Sequence, residues 1–281
     1  MNGLDGVLLL TAGYGRRAEP LSLCRPKALL PAGNTTLLGL MSEAAASLLP
    51  KQLVVNASRC PNRILDEVRA SSGMEARLLF EERPLGAAVT LGRLSVMMRG
   101  SWMLMNTDMI LEADLSGLVA HHQKSGAQCT VLCGDFPREG EYGPVLVRGQ
   151  PRHYLGVCVV EPEVARRAAR FQGSRNLLSS CIVNEPEGFE GADTWMDMGE
   201  VELYRRNLLS RGCFIHPGAV VSRTASLLGC YHVSTGCVLG EGAVIRDSVM
   251  LEGSVLEDGS ELVSGVLPWF SRRSGVAYHR Q

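Results

Sequence analysis

Apolar residues in the first hundred positions come in short blocks separated by polar, glycine-bearing stretches. Residues 6–10 (GVLLL) form a continuous apolar run that leads into Thr11-Ala-Gly-Tyr-Gly-Arg-Arg17, as a buried parallel strand leads into a loop. Residues 35–49 carry Leu37, Leu38, Leu40, Met41, Ala44, Ala45, Leu48 and Leu49 at helical spacing, and Pro50 stops the stripe. The same grammar predicts a strand over 52–56, a helix over 63–70, a strand over 77–80, a helix over 86–98 and a strand over 102–105 that runs into Asn106-Thr107-Asp108. Strands and helices in alternation predict an α/β domain with a mainly parallel sheet. Ligands of such sheets collect beyond the carboxyl ends of the strands, so the loops after Leu10, Phe80 and Met105 should open on one mouth. They supply Gly13, Gly15, Arg16 and Arg17, then Glu82, Leu85 and Gly86, then Asp108. Glycines, cations and a carboxylate suit a nucleotide with its metal.

The last seventy residues follow another rule. An aliphatic residue recurs every sixth position at Ile215, Val221, Leu227, Val233, Leu239, Ile245 and Leu251, fails at Glu257 and resumes at Val263, with Gly218, Gly236, Gly242, Gly253 and Gly259 between them. A six-residue period is the mark of a β-helix, each hexad forming one face of a triangular coil with its aliphatic residue inward. The expected division is a first domain over 1–211 and a β-helix of about three coils over 212–281.

Composition narrows the function. With 28 Lys plus Arg against 29 Asp plus Glu, the formal charge is −1, so no general basic field would gather nucleic acid or an anionic membrane. Any phosphate ligand must be held locally. The run at 6–10 falls far short of the roughly 20 apolar residues of a membrane span, and it lacks the flanks of a signal peptide; the expectation is a cytoplasmic protein without a membrane partner. The nine cysteines have no C-x2-C pair, and Cys129 and Cys133 share a strand face, which is core spacing.

The segment from Leu10 to Pro31 resembles the signature of the sugar-1-phosphate nucleotidyltransferases, A-G-x-G-T-R-L-x-P-L-T-x-x-x-P-K-x-L-L-P. It matches at Ala12, Gly13, Gly15, Arg17, Pro20, Leu21, Pro26, Lys27, Leu29, Leu30 and Pro31. Glu81-Glu-Arg-Pro-Leu-Gly-Ala-Ala88 is similar to the family's E-x-x-P-L-G-T-A base-binding stretch, Asn106-Thr-Asp108 to N-G-D, Tyr154-Leu-Gly156 to N-A-G, and Trp195-Met-Asp-Met-Gly199 to W-x-D-x-G. The resemblance covers about residues 5–210. It implies a Rossmann-like domain followed by a short left-handed parallel β-helix, Mg²⁺ as cofactor, and an NTP and a sugar 1-phosphate as substrates. The E-x-x-P-L-G form is closer to the mannose-1-phosphate guanylyltransferase group than to the Q-P-x-x-G-L-A form of short thymidylyltransferases, which implies GTP and mannose 1-phosphate, with uridylyl and thymidylyl transfer as the other options.

Each motif also has a physical reading. Glycines at 13 and 15 let backbone N–H groups approach phosphate oxygens, and Ala12 and Arg16 lie on the same loop. Arg17 is a planar fork suited to the β- and γ-phosphates, and Lys27 a point charge suited to the α-phosphate and the attacking oxygen. Asp108 and Asp197 stand among apolar residues and suit Mg²⁺, which nucleotide sites hold with one or two carboxylates plus phosphates. The alternatives are helix caps, Asp108 before 111–119 and Asp197 before 200–209. On the sugar side the family has an E-K-P motif that Pro144-Val-Leu-Val-Arg-Gly-Gln-Pro-Arg-His153 lacks. Arg148 or Arg152 are the candidate substitutes for its lysine, beside Tyr142, Gly143 and Gly156. Two other readings compete with an active transferase. One is a catalytically inactive, nucleotide-binding regulatory relative. The other is an acyltransferase working from the β-helix with His216 or His232, each of which reads more simply as a turn residue. The apolar stretch 265–270 at the end of the β-helix has surface that a second subunit would cover, and a homo-oligomer is expected.

Overall fold

The structure is a computed structural model and describes residues 3–135, 145–170, 176–178, 183 and 185–274, with the backbone of 276–277. By contacts the chain divides into two compact units, Met1–Tyr14 with Leu38–Met196, and Gly15–Leu37 with Asp197–Gln281. The signature loop from Gly15 onward therefore groups with the β-helix residues.

In the first unit the apolar runs become strands β1 (Gly6–Leu10), β2 (Leu53–Ala57), β3 (Ala76–Phe80) and β4 (Trp102–Asn106), linked by helices α1 (Leu37–Ser47), α2 (Pro61–Ser72) and α3 (Ala87–Leu94). All three pairings among these strands are parallel, in the order β3-β2-β1-β4. The order reverses between β1 and β4, the place where open α/β sheets bind ligands. Beyond β4 the sheet continues through the antiparallel β8 (Gln150–Val160) to β6 (Cys129–Gly134) and β9 (Glu187–Phe189), the last two parallel to each other. Other strands lie off that path, among them Ala192–Asp197, which pairs with Met109–Ala113 in a two-stranded sheet. Strand β5 (Met109–Ala113) follows β4, and β7 (Val145–Val147) pairs with the start of β8. Cys129 and Cys133 are both buried in the core beside Leu8, Leu104 and Trp102, as their spacing implied. The helix after Asp108 differs from expectation. Met109–Ala113 is a strand, and α4 (Leu115–Ser125) is capped by Asp114, whose Oδ1 accepts the Gly117 N–H at 2.7 Å.

In the second unit, two parallel sheets stack into a β-helix. One runs through Phe214–Ile215, Ser226–Val233, Val244–Met250 and Glu261–Val263, the other through Val220–Val221, Val238–Leu239, Val255–Leu256 and Arg272–Arg273. Val233, Leu239, Ile245, Met250, Leu256, Leu262 and Leu267 fill its interior. The inward series departs from the six-residue count in the later coils. Leu227 pairs with Ile245 at a step of 18, whereas Val233 pairs with Met250 and Leu239 with Leu256 at a step of 17. The change falls where Gly229 and Cys230 oppose the single residue Asp247, a β-bulge. Its spare N–H, on Cys230, is taken by Asp247 Oδ1 at 3.0 Å. One residue shorter, the next coil points Leu256 and Leu262 inward, and the apparent failure at Glu257 disappears.

Candidate active site

At the carboxyl end of β1 the chain leaves the sheet through Thr11, Ala12 and Gly13. The side chain of Asn56, the fourth residue of β2, takes up this turn. Its Oδ1 accepts the N–H groups of Thr11 and Ala12 at 2.8 and 3.2 Å. Its Nδ2 donates to Glu81 Oε1 at 3.0 Å. Glu81 is 1% exposed, and it also accepts the Thr90 hydroxyl and, at 3.0 Å, the Leu85 N–H. The loops after β1 and β3 are thus joined through two side chains that the sequence analysis did not single out. Signals for both were present: Asn56 is the polar end of an apolar run, and Glu81 is the first residue of the E-x-x-P-L-G stretch. Glu82, its neighbour, is exposed. Gly86 opens α3 at φ +89 and ψ 153, a backbone open to glycine almost alone. At the switch point the Thr107 hydroxyl donates to the Leu10 carbonyl at 2.8 Å, tying the ends of β1 and β4 together beside the half-buried Asp108. Gly156, at φ +84 on a bulge of β8, is pressed between Met109 and Asn106.

Gly13 and Gly6 show opposite uses of the smallest residue. A Cβ built on Gly13 meets nothing within 4 Å, and its N–H donates to the Thr11 carbonyl at 2.8 Å. A Cβ on Gly6 would lie 2.5 Å from the Trp102 ring.

In the second unit the signature loop is shaped by its own residues. Gly15 sits at φ +68 before a single 3-10 turn, Arg16–Ala18. A Cβ there would stand 2.8 Å from Ser22 Cβ and 3.4 Å from Lys27 Cγ. The buried Ser22 hydroxyl donates to the Gly15 carbonyl at 2.7 Å. Lys27 follows the buried Pro26 and opens a turn whose Ala28, Leu29 and Leu30 are buried, so its stem leaves a constrained backbone. The far end of the loop is pinned by the fully buried Tyr204 of α5 (Val201–Leu209), whose hydroxyl donates to the Pro31 carbonyl at 2.9 Å. Burial pushes the Tyr204 phenol well above its ordinary pKa and keeps it a donor.

Arg16 is exposed, while Arg17 reaches Glu200 at 3.3 Å with both side chains partly in water. Gly199 makes room for this: its missing Cβ would lie 3.3 Å from Arg17 Nη2 and 2.8 Å from Asp197 Oδ1. Asp197 Oδ1 accepts the Gly199 N–H at 2.7 Å, and its carbonyl accepts Asn207 Nδ2 at 2.8 Å. The N-cap residue of α5 is Glu200, and it makes no side-chain capping hydrogen bond. Arg17 and Asp197 thus flank one glycine.

The sugar-side candidates are arginines in ion pairs. Arg148, at the tip between β7 and β8, binds Glu187 through Nε and Nη2 at 3.1 and 2.6 Å. Arg152 pairs with Asp135 and Glu190. Tyr142 and Gly143 lie outside the described residues. In the β-helix, His216 is a turn residue, its Nδ1 accepting the Gly218 N–H at 2.9 Å. His232 is not: it lies within the strand Ser226–Val233, is 2% exposed and stacks on Phe214 at 4.9 Å. Burial first, then the charge of His216, lowers its pKa to about 4. In the stretch 265–270, Leu267 and Trp269 are buried while Phe270 is 64% exposed.

Among the described residues no group of three or more His, Cys, Asp or Glu is placed to hold a metal ion. Mg²⁺ in nucleotide sites seldom uses such a cage, and Asp108 and Asp197 are hard oxygen donors of the type it takes with phosphates. No helix among the described residues is long and apolar enough to cross a membrane.

The chain is similar to the mannose-1-phosphate guanylyltransferase of Mycobacterium tuberculosis, 28% identical over 303 residues that cover 93% of this chain and 82% of that protein. It is similar also to the mannose-1-phosphate guanyltransferase of Candida albicans, 25% identical, covering 94% and 86%. Residues 6–152, more than half of the chain, match the nucleotidyl transferase family. The chain therefore belongs to the nucleotidyl transferase family and carries its catalytic domain.

Proposed function

We propose that the protein transfers a nucleotidyl group from an NTP to a sugar 1-phosphate, and that GTP and mannose 1-phosphate are its substrates. The observation that carries this reading is the signature loop, in which Gly15, Ser22 and Lys27 pack together on a backbone fixed by buried neighbours. The two relatives named for mannose-1-phosphate guanylyl transfer support the choice of substrates.

The reaction asks little of the protein as acid or base. A sugar 1-phosphate is largely dianionic at neutral pH, because a phosphate monoester has a second pKa near 6, so its oxygen attacks without a general base. That oxygen forms a new bond to the α-phosphorus of the NTP while the bond to the β-phosphate oxygen breaks, and pyrophosphate leaves with the electron pair. The obstacles are repulsion between two anions and charge growing on the leaving group, and fixed cations answer both. Lys27 serves the α-phosphate and the attacking oxygen. Arg17 serves the β- and γ-phosphates with a planar guanidinium suited to bidentate contact, and its pair with Glu200 is of the partly exposed kind that contributes little. Ala12, Gly13, Gly15 and Arg16 line the phosphate loop, while Glu82, Leu85 and Gly86 face the base. Asp108 and Asp197 are the carboxylates for Mg²⁺, which when bound neutralises phosphate charge. Gly156, Arg148 and Arg152, with Tyr142 and Gly143, belong to the sugar side. Residues 1–211 would form the transferase domain and 212–281 the β-helix of a homo-oligomer working in the cytoplasm.

One observation favours a second reading, nucleotide binding without transfer: both candidate substitutes for the missing lysine are already paired with carboxylates. Mg²⁺-dependent pyrophosphate release separates the two. The purified chain is assayed with GTP, UTP, dTTP, CTP and ATP, each crossed with mannose, glucose, N-acetylglucosamine and N-acetylmuramate 1-phosphates. Release with GTP and mannose 1-phosphate is expected, and Arg17→Ala or Lys27→Ala should lower turnover by roughly 100-fold, the effect of losing one such electrostatic contact. Silence across the matrix, with calorimetric NTP binding intact, would establish the second reading.

A further inference from the structure

Arg25 lies two residues before Lys27 in the signature loop, and only 6% of it is exposed. A permanently charged guanidinium so placed is costly unless partners compensate it. Its partners come from the late coils of the β-helix. Both Nη atoms bind the carboxylate of Glu252, one of them at 3.2 Å. The rings of Trp269 and Phe270 stand 5.6 and 5.0 Å from its central carbon, within cation–π range.

The corner that holds these groups departs from the pattern of the coil. Gly236, Gly253 and Phe270 occupy one corner in successive turns, all with left-handed backbone at φ +65, +71 and +53. Their N–H groups donate in turn to Gly218, Thr235 and Glu252. Two of these corners use glycine, the residue suited to that conformation, and the third uses a phenylalanine, for which it is strained. Room for the ring comes from the coil below, since a Cβ on Gly253 would lie 2.4 Å from it. A bulky residue forced into a glycine corner, over a glycine that accommodates it, and facing a buried arginine, is a built cradle. The coil itself does not require it.

We propose that Glu252, Trp269 and Phe270 act through Arg25 as positioning residues for Lys27, so that the late coils of the β-helix set the geometry of nucleotidyl transfer. This rests on the role proposed above for Lys27. The cradle holds the backbone at Arg25, Pro26 transmits that hold through its fixed φ, and Lys27 begins the turn closed by Leu29 N–H to Pro26 and Leu30 N–H to Lys27, at 3.0 and 2.8 Å.

The test uses Phe270→Gly, which restores the residue of the two earlier corners and so keeps the coil folded, together with Glu252→Gln. In the full chain without substrate, the amides of Leu29 and Leu30 should exchange with solvent about fivefold faster in Phe270→Gly, the scale of one partly buried cation–π contact. The Val249 amide, inside the coil, should not change. With substrates, kcat should fall while the KM for NTP holds. In a Lys27→Gln background, Phe270→Gly should cost nothing further, since loosening a loop matters only while its lysine is present. Unchanged exchange at Leu29 and Leu30 in both variants would overturn the proposal, as would a loss that multiplies in the Lys27→Gln background. A fully active Lys27→Gln would instead break the assignment of Lys27, and the exchange at Leu29 and Leu30 tells that failure apart from a failure of the cradle.

Discussion

Single glycines separate packing from function in this chain. Gly6 lies under Trp102, and Gly6→Ala should destabilise the fold by about 1–3 kcal/mol, the cost of overpacking a filled core. Gly13 has open space where its Cβ would be and no left-handed backbone to maintain. Gly13→Ala should therefore leave the melting temperature within a degree or so while raising the KM for NTP severalfold, because the new methyl stands where a phosphate would approach the backbone. Thermal melts and initial rates on the two variants check the contrast, and a Gly13→Ala protein with normal NTP affinity would remove this loop from the phosphate site. The sequence marks both positions as glycine after or within an apolar run. It does not say which is pressed against a ring and which faces open space, since that depends on a tryptophan nearly one hundred positions away.

At the scale of elements, local periodicity was a good guide to existence and a weaker one to phase. The strands over 52–56, 77–80 and 102–105 stand within a residue or two of expectation, because apolar runs between turn formers depend only on near neighbours. The hexad count slipped at the Gly229-Cys230 bulge, where one residue is lost against Asp247. His232, on the same strand, shows what such a register brings about. It is buried against Phe214 with its pKa near 4, below the usual 6.5, so the folded state takes up its proton later than the unfolded state as pH falls. Its contribution to stability is complete above about pH 6.5 and is lost progressively toward pH 4, on the order of 3 kcal/mol in all. Urea unfolding at pH 7 and pH 4.5 should show a smaller loss for His232→Phe than for the parent. Equal losses would mean that other groups govern the acid limb.

For the whole molecule, the first β-helix coil leaves Ile215, Val220 and Leu228 exposed, and solenoid ends of this kind need a cover. Sedimentation velocity should find more than one chain per particle, and Val220→Asp should shift the population toward one chain. A parent protein that sediments as a single chain at every concentration would refute the homo-oligomer. The sequence by itself determined the α/β alternation, the glycine-bearing first loop, the signature cations and the β-helix, because each is written in spacings of a few residues. Only the tertiary structure decided which buried groups hold the site in place. Asn56 and Glu81 join two loops across 25 residues, and Arg25 finds Glu252 across 227. No local pattern encodes such pairs: a buried charge or amide must find a partner, and which one it meets depends on how the chain folds back on itself.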